Sequence, residues 1–160
     1  MKKWIIIIIL VLIILFTGAG VYAYQLIREP LLHELNQAES YVKGQKLLTE
    51  VTSASYYHGT DAFYVLIGST EEGSEAIVWV SEDYDFHHVE LQTDGLSKED
   101  ALAIVHQEDN IKGIQSVKLG FERGLPVYEI TYLNEENRKG YYYLTFADGT
   151  FMKRYVLRTN

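Results

Sequence analysis

Hydrophobic and polar residues follow three successive patterns along the chain. The first is an apolar run from Trp4 to Ile27, which covers 24 positions without a charge. The second is a helical spacing of apolar residues between positions 30 and 48. The third is the short alternation typical of β-strands, which fills most of the chain after position 52. The patterns predict an N-terminal apolar helix, a second helical stretch and then mainly β structure.

The apolar run is long enough to form a membrane anchor. A helix of that length reaches about 36 Å, and the hydrocarbon core of a bilayer is about 30 Å thick. A secretory leader has a shorter apolar region of about 7–15 residues, a length that Trp4 to Phe16 also fits, with small or compact residues for cleavage at positions 21–23. We expect an uncleaved anchor, because the run is far more apolar than export requires. A cleaved leader is the alternative.

The charges beside the run predict its orientation. Lys2 and Lys3 precede it, and positive residues that flank a membrane span tend to stay in the cytoplasm. The predicted localisation is therefore the cell membrane, with a single pass, the N-terminus in the cytoplasm and the C-terminal domains outside.

The rest of the chain has strand patterns in two groups, separated by a break at Asp94-Gly95. After the break, Ser97 and Asp100 have the spacing of a capping box, so a second helix is expected to begin there. The predicted strands are 53–58, 63–69, 76–80 and 86–91 in the first group, and 115–121, 127–133, 141–146 and 151–156 in the second.

The two groups of strands repeat each other. Corresponding residues lie 64–65 positions apart, as in the pairs Tyr64 and Tyr128 or Phe86 and Phe151. Independent strands would rarely share such a register, so we interpret the pattern as two copies of a helix packed on a four-stranded antiparallel sheet. The predicted fold class is α+β, with an anchor at 1–27, a first unit at 28–94 and a second unit at 95–160.

Composition narrows the choice of partners. The chain carries a formal net charge of −8, and its part beyond Lys2 and Lys3 has 12 basic and 22 acidic residues, which gives −10. This balance disfavours nonspecific binding to nucleic acid and to other polyanions. There is no cysteine, so packing and not disulfides must stabilise the fold.

Candidate chemistry is sparse. The sequence has no nucleophile elbow and no glycine-rich phosphate loop. His87 and His88 are neighbours on a strand and point to opposite faces, so they cannot jointly hold a metal ion. Acidic residues at positions 82–85 lie in a turn that we expect to be solvated. We therefore expect no enzyme, no cofactor, no metal and no small-molecule ligand.

Strand alternation divides the second sheet into two faces. Tyr128, Ile130 and Tyr132 should pack under the helix, and the other face should be open. Tyrosine is enriched at protein interfaces, although cross-strand tyrosine pairing is the simpler explanation. The candidate partner-binding residues on this face are Glu129, Leu133, Tyr141, Tyr143 and Thr145.

The first sheet has an apolar face that needs a cover. We group Phe63, Val65 and Ile67 with Val78 and Val80 on that face, and we expect Trp79 on the opposite, helix-covered face. The other sheet, a long helix or another protein could provide the cover, and the other sheet is the simplest choice.

Three stretches of the chain resemble a known family. They are FYVLIGSTEEGSEAIVWVSED at 63–83, GLSKEDALAIV at 95–105 and VYEITYLNEENRKGYYYLTFADGTFMKRYVL at 127–157. With the apolar run, their order is similar to the YpmB family of Gram-positive bacteria, also described as TseB-like cell wall elongation regulators. The second half, with Asp148-Gly149 before its last strand, resembles a PepSY-type domain.

The resemblance implies two cystatin-like domains outside the membrane and a role in building the lateral cell wall. The implied partner is a penicillin-binding transpeptidase of the elongation machinery, and no catalytic residue is implied. The PepSY likeness suggests an alternative, an inhibitor or folding assistant of an exported peptidase. A third hypothesis is a protein that acts directly on wall glycans.

Overall fold

A computed structural model describes residues 2–108 and 110–158, although the side chains at positions 2–12, 21 and 23–29 lie outside the described part. The chain divides into two compact units, Met1–Gln37 and Ala38–Asn160. The predicted limits 1–27, 28–94 and 95–160 stay a prediction. The elements are α1 (Lys2–Gly44), β1 (Glu50–His58), β2 (Ala62–Ser69), β3 (Glu75–Ser81), β4 (His87–Leu91), a short 3-10 helix (Gln92–Asp94), α2 (Lys98–Val105), β5 (Gly113–Glu122), β6 (Leu125–Leu133), β7 (Lys139–Thr145) and β8 (Phe151–Val156).

The N-terminal unit consists of helical residues of α1, with Pro30 inside the helix. The predicted membrane-spanning helix is the part of the fold prediction that is wrong: within the described residues, no helix has both the length and the apolar character that crossing a membrane requires. A span takes about 20 consecutive apolar residues. The predicted segment, 4–27, falls mostly on positions whose side chains are outside the described part.

The β-strands form two four-stranded antiparallel sheets, ordered β1-β2-β3-β4 and β5-β6-β7-β8. This arrangement agrees with the α+β class and with the two groups of strands predicted from the sequence. The sheets also share an irregularity: the register shifts between Val51 and Ser53 in the first and between Ile114 and Ser116 in the second. A β-bulge at the same place in both sheets supports the interpretation that they are two copies of one unit.

Helix α2 begins as the sequence predicts. The Ser97 hydroxyl accepts a hydrogen bond from the backbone N–H of Asp100 and donates one to its carboxylate at 2.6 Å. The first of these bonds satisfies one of the backbone N–H donors that the first helical turn leaves free. The buried side of α2, Ala101 and Val105, joins one hydrophobic core with the face of the second sheet that carries Ile130. The predicted facing of that sheet is therefore confirmed.

The same core includes one face of the first sheet. Residues of the second sheet and of α2 therefore cover that face. Val65 pairs with Trp79 across the strands, and the Trp79 ring lies 5.8 Å from the ring of Phe146. The predicted grouping of Val78 and Val80 with Val65 is wrong, because the register sets them on the opposite face. The predicted facing of Trp79 towards the first helix is wrong for the same reason.

The last turns of α1 pack on the opposite face of the first sheet. Tyr41 of α1 contacts Tyr84, which stacks on Tyr64 of β2 at 5.8 Å between ring centroids. The apolar residues buried in this region are Ala38, Val42 and Leu48 from the helix end and its following turn, and Leu66, Val78 and Val80 from the sheet. The two central strands of the first sheet, β2 and β3, are therefore buried on both faces.

Candidate functional site

A polar pocket of about 470 Å³ lies on the face of the second sheet that points away from α2. We call it the tyrosine–lysine pocket. Its wall on one side is the turn between β1 and β2, and strands β5 to β8 form the rest. Its lining residues are His58, Gly59, Thr60, Ser116, Lys118, Glu122, Glu129, Thr131, Lys139, Tyr141, Tyr143, Lys153 and Tyr155.

Hydrogen bonds to Glu122 hold the turn between β1 and β2 against the second sheet. Its carboxylate is buried and accepts hydrogen bonds from the Tyr57 hydroxyl at 2.8 Å, the Thr60 backbone N–H at 3.0 Å and the Thr60 hydroxyl at 2.9 Å. Lys153 completes the set with an ion pair at 2.8 Å. Burial would raise the pKa of Glu122, but the bonds from Lys153, Tyr57 and Thr60 outweigh it and lower the pKa to about 2. Glu122 is therefore charged at neutral pH.

Two glycines allow this close approach. A Cβ at Gly59 would collide with the Glu122 carboxylate, and a Cβ at Gly120 would collide with the ring of Tyr57. A side chain at either position would push the Glu122 carboxylate or the Tyr57 ring out of its present place, so glycine there lets the turn lie close against the second sheet.

The floor of the pocket is a hydrogen-bonded pair. Tyr143 is only 2% exposed, and its hydroxyl donates to the Glu129 carboxylate at 2.7 Å. Burial, together with the hydrogen bonds to Tyr155 and Glu129, raises the pKa of Tyr143 well above its usual range. The Lys153 ammonium also lies 4.3 Å from the centre of the Tyr143 ring. The floor is thus held in place from several directions.

The rim of the pocket carries its accessible groups. The rings of Tyr141 and Tyr155 stack with centroids 5.0 Å apart, and the Lys139 ammonium lies 5.2 Å from the centre of the Tyr141 ring. Lys118 pairs in register with Glu129, whose carboxylate already accepts the Tyr143 hydroxyl. Within the described part of the chain, no carboxylate lies within 4.0 Å of either Lys118 or Lys139.

The structure brings only some of the predicted partner-binding residues together. Glu129 and Tyr143 are in the pocket but buried, and Tyr141 is half-buried at its rim. Thr145 donates to Asp148 in the turn after β7, and neither it nor Leu133 lines the pocket. The sequence reasoning missed the lining residues Lys118, Glu122, Lys139, Lys153 and Tyr155. The assignment of Glu129, Leu133, Tyr141, Tyr143 and Thr145 to partner binding stays a prediction.

The acidic turn at 82–85 lines a second cavity. A cavity of about 750 Å³ lies beside Phe63, Phe86 and Phe121, and the acidic turn at 82–85 contributes Glu82, Asp83 and Asp85 to its lining. Among the residues that the structure describes, no group of three or more His, Cys, Asp or Glu side chains is arranged to hold a metal ion.

The two histidines of β4 have separate partners. The ring of His87 lies 3.2 Å from the Tyr41 hydroxyl, and the ring of His88 lies 2.8 Å from the Glu90 carboxylate. The two imidazole rings therefore lie on opposite faces of the first sheet.

Fold and site together define an α+β protein in which two repeated sheets share one core and the second sheet presents a polar pocket. Residues 37–81 match the family described as Cell wall elongation regulator TseB-like domain. The chain is 26% identical over 146 residues to a Bacillus subtilis (strain 168) protein described as "Probable cell wall elongation regulator TseB", an alignment that covers 91% of this chain and 89% of that protein.

A solved structure has the same fold. The YpmB protein from Bacillus subtilis superposes with a TM-score of 0.72 at 24% identity, covering 76% of this chain and 96% of that chain. The predicted resemblance to the TseB-like family is therefore confirmed in sequence and in fold.

Proposed function

We propose that this protein regulates cell wall elongation by binding a penicillin-binding transpeptidase. The observation that carries the proposal is the match along 91% of the chain to a protein described as a probable regulator of cell wall elongation. A likeness over nearly the whole length of both proteins supports a shared role better than a likeness confined to one segment would.

The tyrosine–lysine pocket supports a role in protein binding. Tyrosine rings on a firmly held surface are typical of binding hot spots, because they lose little conformational freedom when a partner docks. Here the Glu122 network and the pair of Tyr143 with Glu129 hold the floor, and Tyr141 and Tyr155 stand at the rim. This face is our choice for the contact with the transpeptidase.

The proposed location of Ala38–Asn160 is outside the cytoplasm, where the transpeptidase would be reached. Protease added to intact protoplasts should digest this unit while a cytoplasmic marker protein stays intact. Protection of the unit until the protoplasts are lysed would contradict the location.

Crosslinking in intact cells tests the proposed partner. Penicillin-binding proteins are labelled covalently by a fluorescent penicillin, so a crosslinked species that carries both the label and this protein identifies the class of its partner. We expect such a species in cells that express the protein and none in cells that lack it. Capture of an exported peptidase without any penicillin-labelled species would instead favour the inhibitor or folding-assistant alternative.

A further inference from the structure

The tyrosine–lysine pocket has a local charge that differs from that of the chain. Its lining contains three lysines and two glutamates, a balance of +1, whereas the whole chain carries −8. Lys153 is paired with Glu122, so the ammonium groups of Lys118 and Lys139 at the rim face one remaining carboxylate, Glu129, which accepts a tyrosine hydroxyl.

We propose that the pocket binds an acidic peptide segment of the protein partner, with its Asp or Glu side chains on Lys118 and Lys139. The proposal rests on the proposed function, and it names the chemistry of the segment that docks. Charge-assisted hydrogen bonds from lysine to carboxylate are stronger than those between neutral groups. The hydroxyl of Thr131, which also lines the pocket, is a further donor for carboxylate or backbone oxygens.

The size of the pocket suits a short segment. Its volume of about 470 Å³ lies within the range of ~300–1,000 Å³ that is usual for binding pockets. The pocket is also bounded by the turn between β1 and β2, so an occupant would touch both halves of the fold. A segment with two acidic side chains can place one on each lysine without covering the rest of the surface.

A peptide fits the observations better than an anionic wall polymer. At physiological ionic strength charges act over about 8 Å, so a short segment responds to the lysines of the pocket and not to distant acidic residues. A long polyanion would run over the acidic surface of the chain and be repelled. Sugar rings also need a free aromatic face, whereas the Tyr141 ring has Tyr155 stacked on it and Lys139 close to it.

Binding of synthetic peptides to the purified full chain tests the proposal. The probes are a 12-residue peptide with glutamate at alternate positions, the same peptide with glutamine in place of glutamate, and polygalacturonate as an anionic glycan. The test variant is Lys118→Gln/Lys139→Gln. Lys46→Gln/Lys98→Gln is the matched control, because it removes the same charge at exposed positions outside the pocket.

We expect the glutamate peptide to bind and the glutamine peptide to bind at least tenfold more weakly. An exposed ion pair contributes up to about fivefold in affinity, so loss of both lysines should weaken binding by roughly tenfold, with a ceiling of about 25-fold. The control variant should stay within twofold of wild type, and added salt should weaken binding. Equal binding of both peptides, no binding of the glutamate peptide, an unchanged Lys118→Gln/Lys139→Gln variant, or lysine-dependent binding of the glycan alone would overturn the proposal.

The same variants in cells separate this inference from the proposed function. If wild type captures a penicillin-labelled protein and Lys118→Gln/Lys139→Gln captures it equally well, the pocket inference is wrong and the proposed function stands. If wild type captures none, the proposed function fails. The peptide measurements then still test whether the pocket binds an acidic segment.

Discussion

Glu122 should make the stability of the fold depend on acid. Its carboxylate has a pKa of about 2 in the folded protein, against an ordinary value of 4.5. A depressed pKa stabilises the folded state above the ordinary pKa, and this contribution is lost as the pH falls through the folded value. That lowering of the Glu122 pKa corresponds to about 3 kcal/mol; the Glu122 side chain is only 1% exposed, and solvent screens the pair mainly at Lys153, whose side chain is 31% exposed.

The variant Glu122→Gln tests this magnitude. Glutamine keeps the shape and can still accept from Tyr57 and Thr60, but it leaves the Lys153 ammonium without its counter-charge. We expect the variant to be less stable than wild type by about 3 kcal/mol at pH 7, with the gap closing as the pH falls from about 4.5 to about 2. Urea unfolding at a series of pH values, followed by tryptophan fluorescence, measures the gap.

The matched control is Glu72→Gln, which removes one carboxylate from an exposed turn. It should change stability by no more than about 0.5 kcal/mol at any pH in the series. A gap between wild type and Glu122→Gln that stays constant from pH 7 to pH 3 would refute the reasoning, because the loss would then come from packing and not from the charge.

Three further predictions follow from burial. Trp79→Ala should cost about 3–5 kcal/mol in urea unfolding, and Trp79→Phe clearly less, because the indole N–H has no hydrogen-bond partner among the described residues; equal costs would contradict this. Gly59→Ala should lower the melting temperature, since its Cβ would collide with Glu122; an unchanged melting curve would show that the turn can move away. Tyr143→Ala should destabilise the fold, whereas Tyr141→Ala should leave the melting curve nearly unchanged and reduce crosslinking to the transpeptidase; the reverse order of the two melting curves would contradict the assigned burial.

Local patterns in the sequence were enough to predict strands β1 to β8 and the start of helix α2. The alternation of β6 and β7 correctly placed Ile130 under α2, because a period of two fixes the face once one residue is assigned. The cap at Ser97 was predictable because its bonds reach only three residues along the chain.

Register between strands was harder to predict. Trp79 was assigned to the wrong face because the turn between β2 and β3 sets which residues lie opposite each other, and a shift of one residue exchanges the two faces. The predicted alternation within each strand was correct, but the assumed pairing of residues between β2 and β3 was wrong.

The pocket could not be predicted for a related reason. Glu122 bonds to Tyr57 and Thr60, which lie 65 and 62 positions away, so no local spacing marks the contact. The two glycines at positions 59 and 120 are the only trace of this close approach in the sequence, and a glycine alone does not identify its neighbour.

Site-specific photocrosslinking tests the central claim most directly. Benzoylphenylalanine would replace Tyr155, a pocket residue that is 44% exposed, and Glu72 in the exposed turn between β2 and β3 would serve as the control position. After irradiation of living cells, species containing this protein are examined for fluorescent penicillin. The account predicts a labelled species from position 155 and none from position 72. No labelled species from position 155, or equal labelling from both positions, would contradict the claim that this face contacts a penicillin-binding protein.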